Sequence, residues 1–369
     1  MKLEIMPVLG IGDVTEGDDL AALIATAAPW LRDGDVLVVT SKIVSKAEGR
    51  LVDVPPTEGP ERDAAREEVL AAETARPVAR RGPTRIVQTH HGFVMASAGI
   101  DASNVDAARL VLLPKDPDAS ARGLRAALRE RHGVDVAVIV SDTMGRPWRN
   151  GLTDVALGVA GMDAIRDHRG EVDPYGNQLS ITQMAVVDEL AGAGELVKGK
   201  CDQVPVAVVR GYLTEVGPDD GPGATTMVRD AELDLFSLGT AEARASGLRA
   251  AATLPESTPV TTQDPAPVAD PAAVARAIAA VAGVVAPGTV FSPVTDQGVR
   301  AELAARIPEW PAYATTMILC APPEATGAPA TLVRFGADLH RLRAALAAEG
   351  LPSSVTSAAT DTTTATLAL

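Results

Sequence analysis

Residues 136–151, VAVIVSDTMGRPWRNG, decide the fold and carry the first sign of chemistry. Val136 to Val140 are all apolar and all but Ala137 are β-branched, the composition of a short strand buried on both faces. The pattern predicts that the strand ends at Ser141-Asp142-Thr143, with a flexible loop beyond it carrying Gly145, Arg146, Arg149, Asn150 and Gly151. A hydroxyl and a carboxylate at the mouth of a buried strand, followed by cations, suit a metal and a phosphate. Mg²⁺ takes oxygen ligands, usually one or two carboxylates plus the phosphates themselves, and arginine binds the remaining phosphate oxygens bidentately. The plainer alternative is that Asp142 caps a turn and the arginines sit on a solvated loop.

The same arrangement recurs elsewhere in the chain. Val36 to Val39 reads as a second buried strand, and just past its end come Thr40, Ser41, Lys42, Ser45 and Lys46. In open α/β sheets ligands bind at that end of the strands, and a lysine serves as a point-charge phosphate binder. Arg85 to His90 and Gly92 to Ala98 look like a strand pair, the second leading into Gly99-Ile100-Asp101-Ala102-Ser103-Asn104. Asp101 and Asp142 would then bracket one divalent ion from neighbouring strand ends; an Asx-turn at Asp101 is the alternative. His90 and His91 are adjacent, so on a strand they point to opposite sides and make a poor metal pair. Leu3 to Val8 is a further strand, closed by Gly10-Ile11-Gly12, where small residues let backbone amides approach an anion or simply make a tight turn.

Helices are expected over 18–31, 61–75, 119–131, 183–196 and 230–251, with strands at 109–113 and 206–209. Between them, Asp167 to Leu179 (DHRGEVDPYGNQL) is a polar, turn-rich excursion with one aromatic, Tyr175. Lys198 to Asp202 reads as a basic loop, and Cys201 in it as an unactivated thiol with no paired base nearby. After a Pro/Thr-rich linker at 253–271 the pattern gives helices at 272–286, 299–306 and 338–349 and strands at 315–320 and 331–335; the apolar ending of 353–369 suits a pairing strand.

With 369 residues the chain is long enough for two domains, and 3% aromatics leave Ala, Val and Leu to fill the cores. A net charge of −15 argues against a general nucleic-acid or anionic-membrane binder, yet leaves room for an anionic small molecule held by local positive charge. Two cysteines, Cys201 and Cys320, lie far apart, as suits a reducing cytosol. MKLEIMPVLG lacks a signal peptide's layout, no apolar run reaches membrane-spanning length, and a cytoplasmic protein is expected. A Walker loop, GxxxxGK[ST], is absent.

Five segments, GDVLVVTSKIVSKAEGR (34–50), AGIDASNV (98–105), VIVSDTMGRPWRNG (138–151), DPYGNQL (173–179) and VPVAVVRGY (204–212), together resemble the γ-glutamyl ligases of deazaflavin coenzyme F420 biosynthesis, in the same order over residues 1 to 250. The resemblance implies a mixed α+β fold (α/β in the broad sense) assembled as an intertwined homodimer. It also implies GTP-dependent addition of L-glutamate to the precursor coenzyme F420-0 or its dehydro form, then γ-linked extension, with release of GDP and phosphate. Two divalent cations, Mg²⁺ or Mn²⁺, and K⁺ are implied as well. Carried over by position, Asp101, Asp142 and Thr143 would hold the metals, with Asp101, Asp142 and Lys46 as the catalytic set. The nucleotide would meet Leu9, Gly10, Ile11, Gly12, Ser41, Lys46, Asn104 and the segment Lys198, Gly199, Lys200, Cys201, Asp202, Gln203 and Val204. That segment departs from the glycine-rich, acidic form of archaeal members, which leaves the second-cation ligand near Gly199 open, with a backbone carbonyl or water as substitutes.

From the residues alone, Arg146 and Arg149 are candidates for the substrate's phosphodiester or carboxylate, and Tyr175 for stacking on a ring, against the plainer role of a packed tyrosine. The expected domains are a ligase domain at 1–252, the linker at 253–271 and a small accessory α/β domain at 272–369. Actinobacterial members carry a longer, flavin-binding C-terminal domain; no arginine-rich segment of that kind is present here, and no flavin is expected. Two rival classes use the same acids: a metal-dependent phosphohydrolase or nucleotidyltransferase, and a non-catalytic nucleotide- or deazaflavin-binding protein.

Overall fold

The apolar run beginning at Val136 forms the interior of a sheet. The computed structural model describes residues 2–103, 106–200, 202–213, 216–230, 233–255, 269–307, 310, 314–323, 328–357 and 365–369. The chain divides into two compact units, Met1–Glu242 and Ala243–Leu369. In chain order the first unit contains β1 (Glu4–Pro7), α1 (Leu20–Ala27), β2 (Val36–Thr40), α2 (Ser41–Ala47), β3 (Leu51–Asp53), α3 (Pro60–Ala72), β4 (Thr74–Arg81), β5 (Thr84–Thr89) and β6 (Val94–Ala96). It continues through β7 (Arg109–Val111), α4 (Pro117–His132), β8 (Ala137–Arg146), β9 (Arg149–Ala160), β10 (Arg166–Asp167), β11 (Gln183–Met184), α5 (Val186–Lys198) and β12 (Val206–Arg210), and the division falls within α6 (Thr240–Ala252).

Five strands form the central sheet in the order β1-β12-β2-β8-β9. Only β2 and β8 run parallel, in register from Val36↔Ala137 to Thr40↔Ser141; the other pairs are antiparallel. Because side chains alternate along a strand, each strand feeds two cores. Leu37, Val39, Val138 and Val140 pack with Ile24 of α1, Val44 of α2 and Leu124 and Leu128 of α4. Val36, Val38, Ala137 and Ile139 pack with Val187, Leu190 and Ala191 of α5. The helix α4 is framed by its own sequence: Asp116 caps it by accepting from Ala119 N at 2.9 Å, Pro117 fills the first turn, and Gly133 ends it in the left-handed region at φ 69°. Close approach of α4 to the sheet needs Gly158, where a Cβ would stand 2.2 Å from the Pro117 carbonyl.

The central strand does not stop at Ser141. It continues to Arg146, turns at Pro147-Trp148 and returns as β9, with Arg146 opposite Arg149. The polar residues expected to be a loop are a strand leaving the core, whose ladder is completed by β9. Opposite the change from core to polar residues, β9 bulges: Val140 pairs with Gly158 but Ser141 with Ala156, so Leu157 is the extra residue.

Further expectations change in this unit: residues 183–184, read as the start of a helix, form β11 paired with β10, and the helix expected to run to Leu31 ends at Ala27. Residues 74–75, read as the end of a helix, open β4, which pairs with β5; the alternating charges that marked the helix simply run past its end. His90 and His91 lie in the turn before β6, their Nε2 atoms at 3.0 Å from Ala72 O and Pro114 O respectively. The helix expected from 230 begins at Thr240, since Gly239 abuts the backbone of Val78, where a Cβ would meet the carbonyl oxygen at 2.0 Å.

The second unit comprises α7 (Pro271–Val281), β13 (Val290–Val294), α8 (Gln297–Ala304), β14 (Met317–Ala321), α9 (Pro329–Ala348), β15 (Ser354–Ser357) and β16 (Ala365–Ala368). Its sheet is antiparallel in the order β13-β14-β16-β15, and Val274, Ala277, Ile318, Leu339, Leu342, Leu346 and Leu367 form its core. Residues 331–335, expected as a strand, open α9: Pro329 suits a first helical turn, and Leu339, Leu342 and Leu346 continue at helical spacing. Of the expected linker, residues 256–268 lie outside the described residues. Among the described residues no helix is long and apolar enough to cross a membrane.

Candidate functional site

The ends of β2 and β8 lie side by side, and both lead into the same small cavity. β2 passes directly into α2, whose Ser41, Lys42 and Ser45 line the cavity together with Gly99, Asp101 and Asp142. Asp142 stands on β8 on the α2 side of the sheet, because it shares the parity of Val138 and Val140. Asp101 arrives from a different part of the chain. Its backbone is fixed to Val111 by bonds in both directions, Asp101 N to Val111 O at 2.9 Å and Val111 N to Asp101 O at 2.8 Å. The preceding Gly99 adopts φ 71° and has Leu113 so close that a Cβ would meet its Cδ2 at 2.7 Å.

The two carboxylates differ in electrostatic setting. Burial would raise the Asp101 carboxyl, but Lys42 Nζ at 2.5 Å from Oδ2, and Ser103 donating N–H at 2.6 Å to Oδ1, outweigh it and hold it below the usual carboxylate range. Lys42 also donates to Ser103 Oγ at 2.7 Å. Asp142 has no ion pair among the described residues: burial, reinforced by the charges of Asp154 and Asp101, outweighs the Thr143 N–H it accepts at 2.9 Å and the more distant charge of Lys42, and pushes it up to about 6. A pocket with oxygen donors only and a surplus of negative charge fits a hard divalent cation such as Mg²⁺ or Mn²⁺. Among the described residues no group of three or more His, Cys, Asp or Glu side chains is placed to hold a metal, so ligands beyond these two acids would come from water, hydroxyl or substrate.

On the opposite side of β8 lies a second polar cluster, which the sequence did not announce. Asp154 of β9 is 3% exposed and Lys198, the last residue of α5, is 2% exposed. They pair at 2.8 Å, while Ser141 donates to Asp154 Oδ2 at 2.9 Å and Thr143 donates to Asp154 Oδ1 at 2.8 Å. Burial alone would raise the Asp154 carboxyl; the Lys198 ammonium, with the hydroxyls, holds it below the usual range. Thr143 in turn accepts from Lys200 Nζ at 2.7 Å, and Lys200 also pairs with Glu195. Lys198 is therefore a buried counter-ion rather than part of a solvated basic loop; the amphipathic repeat of α5 carries it inward. The one local signal for Asp154 is an acid set directly against the unbroken run VALGV (155–159).

The other residues singled out in the sequence are spread more widely. Leu9, Gly10, Ile11 and Gly12 follow β1; Gly10 adopts φ 86°, and a Cβ at Gly10 or Gly12 would meet nothing within 4 Å, leaving their backbone open to an approaching group. Lys46, buried on α2, donates to Asp13 Oδ1 at 2.8 Å and so ties that loop to the same helix. Past Lys198, Gly199 adopts φ 62° with Asp202 folded over it, Gln203 adopts φ 55°, and Val204 leads into β12. Asn104 and Cys201 lie outside the described residues. Arg146 and Arg149 sit at the exposed tip of the β8–β9 hairpin, four strand residues beyond Asp142 in the case of Arg146, roughly 13 Å along the strand. Tyr175 is 91% exposed, on a turn closed by Asp173 accepting from Tyr175 N at 2.9 Å and Asn177 N at 2.8 Å; it is neither packed nor part of the cavity.

A family model described as F420-0:Gamma-glutamyl ligase matches residues 9–211, all inside the first unit. Curated relatives bear the name Coenzyme F420:L-glutamate ligase. The protein of Methanothermobacter thermautotrophicus is 42% identical over 252 residues, covering 64% of this chain and 99% of that protein. That of Methanopyrus kandleri is 42% identical over 247 residues, covering 63% and 97%. That of Haloarcula marismortui is 43% identical over 249 residues, covering 63% and 95%.

Proposed function

The chain belongs to the F420-0:gamma-glutamyl ligase family, and from that premise we propose that it is an enzyme joining L-glutamate to coenzyme F420-0, or to its dehydro precursor, at the expense of GTP, and extending the product through γ-linkages. Amide formation from a carboxylate needs an activated acyl group. In the proposed sequence an acceptor carboxylate oxygen attacks the γ-phosphorus of GTP, GDP leaves, and the glutamate amine displaces phosphate from the acyl phosphate. In-line positioning and charge neutralisation carry such transfers.

The observation that carries this reading is the meeting of Asp101 and Asp142, from separate segments, in one cavity flanked by Lys42. Asp101 and Asp142, with Thr143 across the strand, would hold the divalent cations, which when bound neutralise charge on the phosphoryl group in flight. In a chain of net charge −15, with Lys42, Lys46 and Lys200 each paired to an acid, the divalent cations are what would make a polyanionic substrate tolerable. The open backbone at Gly10 and Gly12 and the buried ammonium of Lys46 would take the nucleotide, in place of a Walker loop. K⁺ belongs to the same proposal. So does a homodimer, supported by the hairpin tip, where Trp148 is 81% and Leu152 68% exposed and Trp148 packs edge-on with Phe236, ring centroids 4.8 Å apart.

The deciding experiment is incubation with GTP, glutamate, coenzyme F420-0 and Mg²⁺ or Mn²⁺, with products read by mass. Addition of one or more glutamyl residues is expected, with GTP hydrolysis dependent on both acceptors. No glutamyl increment with either metal, or GTP hydrolysis indifferent to the acceptors, would sink the ligase reading, the second outcome favouring a phosphohydrolase. Asp101→Asn and Asp142→Asn are each expected to abolish turnover with circular dichroism unchanged.

A further inference from the structure

Ser45 lies on α2 one turn beyond Ser41 and is 1% exposed. It lines the cavity with Asp101 and Asp142, and among the described residues its hydroxyl has no hydrogen-bond partner. A serine inside a helix ordinarily bonds back to the carbonyl of the preceding turn; this one does not. A buried hydroxyl left unpaired is costly, and such groups call for a ligand or a bound water. The other buried side-chain atoms without a hydrogen-bond partner among the described residues belong to Arg62, Thr89 and His91, none of which lines this cavity.

The neighbours of Ser45 restrict what its partner can be. Lys42 is already engaged by Asp101 and Ser103. A bare phosphate oxygen brought between two carboxylates would be repelled by both. A water carried by a cation is not: it brings positive charge to the acids and a polarised O–H to the hydroxyl, and Mg²⁺ in particular keeps several of its waters when it binds protein. We infer that Ser45 Oγ is an additional member of the cation site, accepting a hydrogen bond from a water on the divalent ion held by Asp101 and Asp142. Its role is to position that hydration shell, as outer-sphere partners do in metal sites generally. The inference rests on the cation-binding reading of the two acids, and its test separates the two.

Mn²⁺ alone, without nucleotide, is titrated into the full chain, with free Mn²⁺ read by electron paramagnetic resonance, for the parent, Ser45→Ala and Asp142→Asn. Ser45→Ala should weaken Mn²⁺ about 10-fold and Asp142→Asn should remove binding. In metal-free buffer Ser45→Ala should melt at the parent temperature or above, since it deletes an unpaired group, while the rise in Tm on adding Mn²⁺ shrinks. Parent-like Mn²⁺ affinity in Ser45→Ala, with binding lost in Asp142→Asn, overturns the role of Ser45 and leaves the cation site standing. Parent-like affinity in Asp142→Asn overturns the cation site and Ser45 with it. A clear fall in the metal-free Tm of Ser45→Ala would mean the hydroxyl has a structural partner, and overturns the inference.

Discussion

Replacing Lys198 by Met leaves the Asp154 carboxylate in a buried site without its ammonium partner. Both side chains are almost wholly covered and lie 2.8 Å apart. Removing one member of such a pair costs about 3–5 kcal/mol, most of it the penalty of the charge left behind. Asp154 would keep the hydroxyls of Ser141 and Thr143, so the lower figure, about 3 kcal/mol, is expected. In Asp154→Asn/Lys198→Met no charge is stranded; that double variant should recover all but about 1 kcal/mol, a coupling of about 2 kcal/mol or more. The two units need not unfold together, so in a melt the transition of the first unit is the one to follow. Hydrogen–deuterium exchange of peptides covering 139–143 and 155–159 reads this sheet alone.

The pH dependence has a definite sign. In the parent protein the Asp154 carboxyl is held below its ordinary value by Lys198. Its stabilising contribution is therefore present above the unfolded value of about 3.9 and is lost as pH falls through the lower folded value. Without Lys198 burial dominates, protonation relieves the buried charge, and the deficit of Lys198→Met should narrow on acidification from pH 7. A single variant losing under about 1 kcal/mol, or a double variant as unstable as the sum of its singles, would refute the buried-pair account.

Three other perturbations follow from the packing. Gly158→Ala drives a methyl group to 2.2 Å from the Pro117 carbonyl, where only backbone can yield; a loss of about 3 kcal/mol is expected in exchange of the β8 and β9 amides, and parent-like protection would contradict the close approach of α4. Asp118→Asn removes the charge that accepts from Val159 N at 2.8 Å, Ala224 N at 2.7 Å and Thr225 Oγ1 at 3.1 Å; about 3 kcal/mol should be lost, measured as a lowered urea midpoint, and a shift too small to resolve would count against it. Burial pushes the Cys320 thiol up to about 12, so peptide mapping after iodoacetamide at pH 8 should find Cys320 unmodified unless the protein is first denatured; rapid native labelling would show that β14 opens.

Much of the first unit was legible because its signals are local. The apolar runs at 36–39 and 136–140 and the repeat of Leu124 and Leu128 each declare an element within one turn or strand, and hydroxyls and charges gather at strand ends because that is where the chain leaves the core. What failed depended on partners distant in sequence. Ser141 to Arg146 reads as a loop until β9 completes its ladder, and the arginines then move from the cavity to the hairpin tip. Lys198 reads as a surface cation until Asp154 is seen opposite it. Residues 331–335 carry a strand's composition, but the helical spacing of Leu339 and Leu342 and the proline at 329 prevail. Asp101 and Asp142 were singled out from sequence as acids following strands, and they do share a cavity; Ser45 was named among the hydroxyls past β2, but nothing local showed that its Oγ would stand unpartnered beside them.

The bulge at Leu157 governs which acid ends up where. Past it, Thr143 lies opposite Asp154, and both side chains point toward α5. Were the ladder regular, the register from Val140↔Gly158 would set Val155 opposite Thr143 and Asp154 opposite Met144, on the flank occupied by Asp142. A third carboxylate would then crowd the cation cavity, and Lys198 would be stranded among aliphatic residues. One supernumerary residue thus sorts the acids into two compartments: deleting any one of 155–157 would straighten the ladder with Asp154 still opposite Thr143, whereas inserting one more there would carry Asp154 to the position opposite Met144 and transpose the site's charges.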